Sequence, residues 1–326
     1  MRACILGTGS AVPATKLTNA DLEALVETSD EWIVTRTGIR ERGKLPVDQG
    51  TSDLATRAAA EALKAAGLQP SDIDLIVVCT CTPDMPMPST AALVQRNLRV
   101  GRPIPAYDLN AACAGFVFGL EVAADQVSSG RYPRALLIGA DAMTRLMDYQ
   151  DRTTCVLFGD GAGAVVLAAE ESERGVVATT LKADGEFWDL IHVPGGGSRN
   201  PASPYMLAQR EQYMRMNGRQ TFKLAVQAME QVIVDTLAKA GWQLADVDHV
   251  LVHQANQRII EAIVQRLGVP REKVPVNVDL MGNTSAASIP VLLDECQRAG
   301  KLKPGDRILC AGFGSGLSWG GIALIW

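Results

Sequence analysis

The residues best suited to chemistry in this chain are a cysteine, a histidine and an asparagine in three separate segments. Cys113 lies in "NAACAGF", among residues too small to cover its sulfur, and the stretch after it has helical spacing. The unpaired N–H groups and positive dipole end of a helix start stabilise a thiolate, so this position is typical of a nucleophile. The alternative is a core cysteine that happens to precede a helix, because free cysteine is among the most buried residue types.

The other two candidates follow predicted strands. His253 ends the strand predicted in "DVDHVLVHQAN", and catalytic groups of layered α/β folds collect at strand ends. We interpret His249, within that strand, as structural and His192 as a loop residue without a chemical role. Asn283 in "LMGNTSAAS" follows "VPVNVDL", which we predict to be a strand, and its alternative role is a helix cap or turn residue.

An internal repeat supplies elements that bring these residues together. Residues 61–80 align without gaps on residues 235–254, and each copy predicts an Ala-rich helix ended by Gly67 or Gly241, a polar turn and a buried strand. Later segments correspond more weakly, since "PAYDLNAAC" and "RALLIGAD" resemble "PVNVDLMGN" and "RILCAGFG" in the same order. The sequence therefore predicts a duplicated chain of β/α units.

We place the two predicted halves at residues 1–171, which contain Cys113, and residues 172–326, which contain His253 and Asn283. Helices that alternate with buried strands predict α/β layers. Each half then contributes its loops to one shared site.

Two kinds of irregular segment are expected near that site. Residues 192–218 form a long stretch without a clear pattern, which we interpret as a lid or a wall of the substrate site. The glycine-rich "FGDGAGAVVLA" and "AGFGSGLSWGGIALIW" lack the strand, GxGxxG and helix order of a dinucleotide loop. We expect these glycines to let the backbone approach the nucleophile and offer an N–H group to an oxyanion.

Composition excludes several classes of protein. The chain has 326 residues, 47% of them hydrophobic and 21% charged, which is typical of a globular protein. A net charge of −5 with mixed signs argues against nucleic-acid binding. No apolar run reaches the roughly 18 residues of a membrane span and no signal peptide is evident, so a cytoplasmic location is expected. The seven cysteines include no CxxC pair, and neither a disulfide framework nor a metal site is predicted.

Six segments together resemble one family. In chain order they are "TSDEWIVTRTGIRER", "AACAGF", "FGDGAGA", "HQANQRI", "GNTSAAS" and "GFGSGLSWG", and they resemble β-ketoacyl-acyl carrier protein synthase III, a thiolase-fold condensing enzyme of fatty-acid initiation. The resemblance covers essentially the whole chain. It implies a five-layered αβαβα fold, a homodimer, acyl-CoA and malonyl-acyl carrier protein as substrates, and no cofactor.

The resemblance also implies roles for the three candidates. Cys113 accepts the acyl group, and neutral His253 and the Asn283 amide stabilise the enolate formed when malonyl-carrier protein loses carbon dioxide. The tetrahedral oxyanion is held by the backbone N–H groups of Cys113 and Ser315, and Phe313 gates the nucleophile.

Further residues are assigned by the same resemblance to binding. Trp32 stacks on one face of the adenine of coenzyme A, and Arg152 lies on the opposite face of the adenine. The tunnel for the pantetheine and the nucleotide is lined by Thr28, Arg36, Gly218 and Asn256.

Two assignments concern selectivity and docking. Met87 stands where relatives have an aromatic residue that closes the acyl pocket from the neighbouring subunit. Methionine is flexible, so the length of the pocket and of the primer acyl chain is not determined by the sequence. An acidic carrier protein needs cations, for which we propose Arg258, Arg266, Lys223 and Arg219; the alternative for these four is a solvated helix face.

Three other functions are alternatives to this one. A papain-like protease also uses Cys, His and Asn, but its local "CGSCW" setting is absent. A condensing enzyme of secondary metabolism would share the nucleophile and differ in primer or acceptor. A catalytically silent scaffold that binds carrier protein is disfavoured by the intact Cys113, His253 and Asn283.

Overall fold

The computed structural model describes residues 1–326 and contains thirteen strands and ten α-helices. The strands, numbered along the chain, are β1 (Arg2–Ala11), β2 (Lys16–Thr18), β3 (Glu41–Gly43), β4 (Leu75–Cys79), β5 (Ala106–Leu109), β6 (Arg134–Ala142), β7 (Asp160–Glu170), β8 (Gly175–Ala183), β9 (Ile191–His192), β10 (Arg215–Met216), β11 (His249–Val252), β12 (Arg307–Gly314) and β13 (Ser318–Ile325). The helices are α1 (Asn19–Glu23), α2 (Asp30–Thr37), α3 (Thr51–Ala66), α4 (Thr90–Leu98), α5 (Gly115–Ser128), α6 (Pro204–Ala208), α7 (Gly218–Ala240), α8 (Gln257–Leu267), α9 (Val278–Met281) and α10 (Ser288–Arg298).

Two main sheets have the same strand order, which confirms the predicted repeat. The first sheet runs β1-β7-β6-β4-β5, and the second runs β8-β13-β12-β11. In both, the first three strands are antiparallel neighbours and the next strand is parallel to the third. Every residue of β4 is buried, as expected for a strand covered on both faces.

Helices cover both sheets and separate them. Helix α3 packs on β1, β7 and β6, and α7 packs on β13, β8 and β12. Between the sheets lie α5, which contacts strands of both, and α10, which contacts β7, β1 and β11. The layers therefore alternate as αβαβα, and the predicted fold class is confirmed.

Glycines end the repeated helices as their sequence predicts. Gly67 follows α3 with φ of 67°, and Gly241 follows α7 with φ of 69°, both in the left-handed region that favours glycine. The next strand in each half then begins at the same distance along the chain, which keeps the two halves in register.

One predicted strand is wrong. The segment "VPVNVDL" forms no strand, and its last residues belong to the short helix α9. The second sheet consequently lacks a counterpart of β5. The side chain of Gln254 accepts a hydrogen bond from the Asn277 backbone N–H at 3.1 Å, so this segment is held by a buried side chain where β5 is held by a neighbouring strand.

Candidate active site

Cys113 lies in a short 3-10 turn, Ala112–Ala114, between β5 and α5. The turn is set by Asn110, whose Oδ1 accepts from the Ala112 N–H at 3.0 Å, and by Ala112 itself, which has φ of 46°. The end of β12 approaches from the other half: a Cβ built on Gly314 would lie 2.6 Å from the Cys113 nitrogen. The expected close approach of glycine to the nucleophile is confirmed for Gly314. It is wrong for the glycines of "FGDGAGAVVLA", since Gly161 and Gly163 lie against Thr284 and Pro290.

The predicted stabilisation of a thiolate by the helix start is opposed by burial of the sulfur. Helix α5 begins only at Gly115, two residues beyond Cys113. Burial raises the pKa of the Cys113 thiol to about 12, against an opposing hydrogen bond from the Ser285 hydroxyl, and the buried Asp141 carboxylate raises it further. The resting nucleophile is therefore a thiol, and its proton must leave as the thioester reacts.

His253 follows β11, as predicted, and is 5% exposed. Its backbone N–H donates to the Ala311 carbonyl at 2.8 Å, and its ring Nδ1 lies 2.6 Å from the Ser288 Oγ at the start of α10. Burial lowers the pKa of His253 to about 4. The ring is consequently neutral at physiological pH and carries one N–H donor.

Asn283 lies in the turn before α10 and is 6% exposed. Its Oδ1 accepts from the Ser285 backbone N–H at 2.9 Å, which identifies the other end of the amide as the NH₂ group. The Asn283 side chain can therefore form the turn through its oxygen and still donate a hydrogen bond through its nitrogen.

The turns of Cys113 and Asn283 are counterparts. Asn110 and Asn283 each bond the backbone N–H two residues ahead, and the residues they bond, Ala112 and Ser285, both have left-handed φ values of 46° and 53°. Each turn continues through a 3-10 segment into a helix of the central layer. The duplication therefore places the two turns side by side at one site.

A single cavity of about 650 Å³ joins these groups. Its wall includes Cys113, His253, Asn283, Phe313 and Ser315. Apolar side chains form most of the rest, among them Met143, Leu157, Phe158, Met214 and Met229. The predicted 192–218 segment contributes Val193, Met214 and Met216, so it is a wall of the site and contains α6 and β10.

Comparisons with known proteins assign the chain. Residues 107–185 match the family model of 3-oxoacyl-[acyl-carrier-protein (ACP)] synthase III, and residues 237–326 match that of its C-terminal part. The β-ketoacyl-[acyl-carrier-protein] synthase III of Symbiobacterium thermophilum is 50% identical over 99% of this chain and 97% of its own. The chain belongs to the β-ketoacyl-acyl carrier protein synthase III family.

Solved structures agree with this assignment. The crystal structure of 3-oxoacyl-[acyl-carrier-protein] synthase III from Aquifex aeolicus VF5 has a TM-score of 0.93 and 45% identity, over 99% of this chain and all of that one. The priming β-ketosynthase from the R1128 polyketide biosynthetic pathway is less similar, with a TM-score of 0.91 and 33% identity over 99% of this chain and 96% of its own. The predicted function, a condensing acyltransferase of fatty-acid synthesis, is confirmed.

In this member of the β-ketoacyl-acyl carrier protein synthase III family, cations surround the cavity mouth, by which we mean the part of the wall at Trp32 and Arg36. The Arg36 and Arg152 guanidinium groups lie 4.5 and 5.1 Å from the centre of the Trp32 ring. Trp32, Arg36, Gly218 and Asn256 line the cavity, whereas Thr28 and Arg152 do not. Asn256 also caps α8 and donates to the Arg36 carbonyl at 3.2 Å, so it ties α8 to α2.

The four residues predicted to dock the carrier protein differ in their surroundings. Arg219 lines the cavity, and Lys223 is exposed on α7 without a salt bridge. The Arg258 guanidinium lies 5.9 Å from the Phe222 ring, and Arg266 forms a 2.6 Å salt bridge with Glu230. Arg266 is thus partly neutralised within the chain.

Met87 lies outside the cavity wall of its own chain and is 81% exposed. Its position in the loop after β4 is close in sequence to the exposed Met85. A role in an acyl pocket would therefore be exerted on a neighbouring subunit.

Several residues at the site were not singled out by sequence reasoning. Asp141, fully buried at the end of β6, accepts from the Cys81 N–H at 2.8 Å, the Thr82 Oγ1 at 2.9 Å and the Ala286 N–H at 3.1 Å. Burial raises its pKa, while these donors oppose the rise. The signal in the sequence was a carboxylate at the end of the apolar run "RALLIGAD".

His192 also belongs to the site. It lies in β9, lines the cavity and has its ring 5.5 Å from that of Trp188. Its interpretation as a loop residue is wrong, because His192 pairs with Arg215 of β10 in a short two-stranded sheet.

Proposed function

We propose that this synthase works in two half-reactions, with Cys113 as acyl acceptor and His253 and Asn283 as the donor pair for decarboxylation. In the first, the Cys113 sulfur attacks the acyl-CoA carbonyl as its proton leaves, and coenzyme A departs as a thiol. One thioester replaces another, so little free energy is required.

In the second half-reaction, malonyl-carrier protein loses carbon dioxide. The electron pair of the broken carbon–carbon bond then forms a thioester enolate. The His253 ring N–H and the Asn283 amide donate to the enolate oxygen, where negative charge develops. The enolate carbon attacks the acyl-Cys113 carbonyl, whose oxyanion is held by the backbone N–H groups of Cys113 and Ser315. Collapse of this intermediate expels the Cys113 thiolate, which recovers a proton, and β-ketoacyl-carrier protein leaves.

The observation that carries this assignment is that His253 and Asn283 line one cavity with Cys113, with hydrogen-bond donors to offer there. His253 is neutral because burial lowers its pKa to about 4, and the Asn283 oxygen is occupied by the Ser285 N–H at 2.9 Å. Both side chains therefore offer hydrogen atoms to a developing anion and neither can repel it.

The cavity mouth supports binding of coenzyme A. Arg36, Arg152 and Arg219 form no salt bridges, so their charges are free to meet phosphate groups. The Thr28 hydroxyl is buried without a hydrogen-bond partner, so it would have to become accessible before a nucleotide could bond it. The Arg152 guanidinium lies 5.1 Å from the centre of the Trp32 ring. For adenine to stack on Trp32, Arg152 must therefore move to the other face of the adenine.

Arg219 and other exposed cations suit an acidic carrier protein. Lys223, Arg258 and Arg219 are exposed near the mouth, and Arg266 would contribute less because of Glu230.

A homodimer, in which Met87 reaches the partner's acyl pocket, completes the proposal. A cytoplasmic location stays a prediction; none of the chain's helices combines the length and the apolar character that crossing a membrane requires.

The test is the intact mass of the protein after incubation with single acyl-CoA thioesters, from acetyl through branched to long chains. We expect one acyl adduct on the parent and on Cys4→Ala, a cysteine buried in β1, and none on Cys113→Ala. Adding malonyl-carrier protein should discharge the adduct. Absence of an adduct with every thioester would contradict the assignment of Cys113, and a preference for long or aromatic acyl groups would indicate a specialised primer.

A further inference from the structure

Ser288 makes a short, buried contact with the catalytic histidine. It is the first residue of α10 and is 2% exposed, and its Oγ lies 2.6 Å from the His253 Nδ1. The same Oγ lies 3.4 Å from the backbone nitrogen of Gln254.

The direction of the short hydrogen bond follows from counting hydrogens. A serine hydroxyl has one hydrogen to donate, and of its two partners the Gln254 backbone N–H is only a donor. The hydroxyl hydrogen therefore has one acceptor, the His253 Nδ1. If Nδ1 carried the ring proton instead, a buried hydroxyl hydrogen would be left without a partner, which is unfavourable.

We propose that Ser288 is a positioning residue that donates to Nδ1 of His253 and thereby keeps the ring proton on Nε2, the atom that faces the enolate. This inference rests on the proposed function, in which His253 is a neutral donor. Ser288 itself touches no substrate in this scheme.

A hydroxyl suits this task better than the carboxylate that often orients a histidine. A carboxylate beside Nδ1 would favour the charged imidazolium, whereas the pKa of His253 is lowered by burial and by no charged neighbour. Ser288 can thus select the tautomer while the ring stays neutral.

The first half of the chain offers an internal comparison. The gapless repeat pairs Cys79 with His253, and alignment of "NAACAG" on "NTSAAS" pairs Gly115 with Ser288. These counterparts are also adjacent, because a Cβ on Gly115 would lie 3.4 Å from the Cys79 Cβ. The fold therefore forms this contact without a hydroxyl, and the serine occurs in the half where its neighbour is a histidine.

Gln254 supports the arrangement from the backbone side. Its side chain is fully buried, donates to the Val252 carbonyl at 2.8 Å and accepts from the Asn277 N–H at 3.1 Å. These bonds fix the residue after His253, and with it the N–H group that faces the Ser288 oxygen.

The direct test is the tautomer of His253, read from two-bond ¹H–¹⁵N correlations of the full-length protein labelled with ¹⁵N-histidine. The chain has only three histidines, and the His253 signals are identified by their loss in His253→Gln. We expect a protonated Nε2 in the parent and in Ser288→Thr, which restores a hydroxyl, and a mixture of tautomers in Ser288→Ala. A protonated Nδ1 in the parent would overturn the proposal.

Kinetics separates positioning from a general loss of structure. In Ser288→Ala we expect condensation kcat to fall roughly tenfold, as for loss of one hydrogen bond, with KM for malonyl-carrier protein and the rate of Cys113 acylation nearly unchanged. Thr236→Val is the matched control, since it removes a buried hydroxyl that bonds only the Val232 carbonyl of its own helix.

Each result decides between the two proposals. Unchanged condensation in folded Ser288→Ala, or an equal loss of acylation and condensation, would contradict the positioning role. A parent protein that neither accepts an acyl group nor decarboxylates malonyl-carrier protein would contradict the proposed function, whatever the tautomer of His253.

Discussion

Burial acts on Cys113 and His253 in the same direction, toward the uncharged form. It raises the pKa of the thiol to about 12 and lowers the pKa of the imidazole to about 4. The resting site consequently presents a neutral nucleophile and neutral donors to a neutral thioester. Negative charge arises only during reaction, where N–H donors in a low-dielectric cavity are most effective.

Asn283→Asp isolates the donor role of the amide. Aspartate can still accept the Ser285 N–H, so the turn should persist, but it replaces the NH₂ group with a charge that repels the enolate. We expect condensation to fall about a hundredfold or more, as when an oxyanion donor is removed. Acylation of Cys113, followed by intact mass, should continue, and equal loss of both steps would contradict the assignment.

The histidine also predicts a pH dependence of stability. Between the ordinary pKa of 6.5 and the folded value of about 4, the unfolded chain binds a proton at His253 that the folded protein does not. The free energy of unfolding should therefore decrease as pH falls through this window, by about 3 kcal/mol in total. Urea unfolding at several pH values checks this, and His253→Gln should show a shallower slope; an identical slope would exclude His253 as the source.

Three connections between elements build the site. The turn before α5 presents Cys113, the matching turn before α10 presents Asn283, and the β12–β13 hairpin closes against the first turn. Asp141, at the end of β6, holds the loop after β4 and the Asn283 turn through hydrogen bonds to Cys81, Thr82 and Ala286. A carboxylate in the first half therefore positions the donor of the second.

Gly314→Ala tests the contact between hairpin and turn. Its Cβ would lie 2.6 Å from the Cys113 nitrogen and 3.0 Å from the Cys113 Cβ, so the nucleophile must move. We expect acylation to slow about a hundredfold, since small displacements of reacting groups have effects of that size. Gly197→Ala is the control, because nothing lies within 4 Å of its Cβ, and equal activity of both variants would contradict the argument.

The first sheet has two edge strands, β1 and β5, and β5 pairs only with β4. Tyr107 on this strand is 37% exposed, and Met85 and Met87 in the preceding loop are 41% and 81% exposed. An unpaired strand edge with apolar neighbours favours association with another chain. The second sheet has no counterpart of β5, so this edge distinguishes the two halves.

We expect the protein to have a native mass of about twice 34.8 kDa by sedimentation velocity. Tyr107→Asp should shift the population toward monomer, because a charge on an edge strand opposes strand association. Met87→Phe should leave the dimer intact and lower the preference for longer acyl-CoA primers. A monomeric parent, or unchanged primer preference in Met87→Phe, would contradict the role proposed for this edge.

The sequence alone was sufficient for features encoded in contiguous residues. Helical and strand spacing depends on local backbone preferences, and so do the glycines at 67 and 241. The duplicated fold and the candidates Cys113, His253 and Asn283 could therefore be found by inspection.

Tertiary structure decided what depends on distant residues. The neutral states of Cys113 and His253 result from burial by both halves, and the hydroxyl on His253 comes from Ser288, 35 positions along the chain. The segment before Asn283 has the residue pattern of a strand, but it forms none. A strand needs a neighbouring strand to satisfy its backbone groups, and this segment has no such neighbour. Desolvation and long-range hydrogen bonds have no local signature, and only the packed chain determines them.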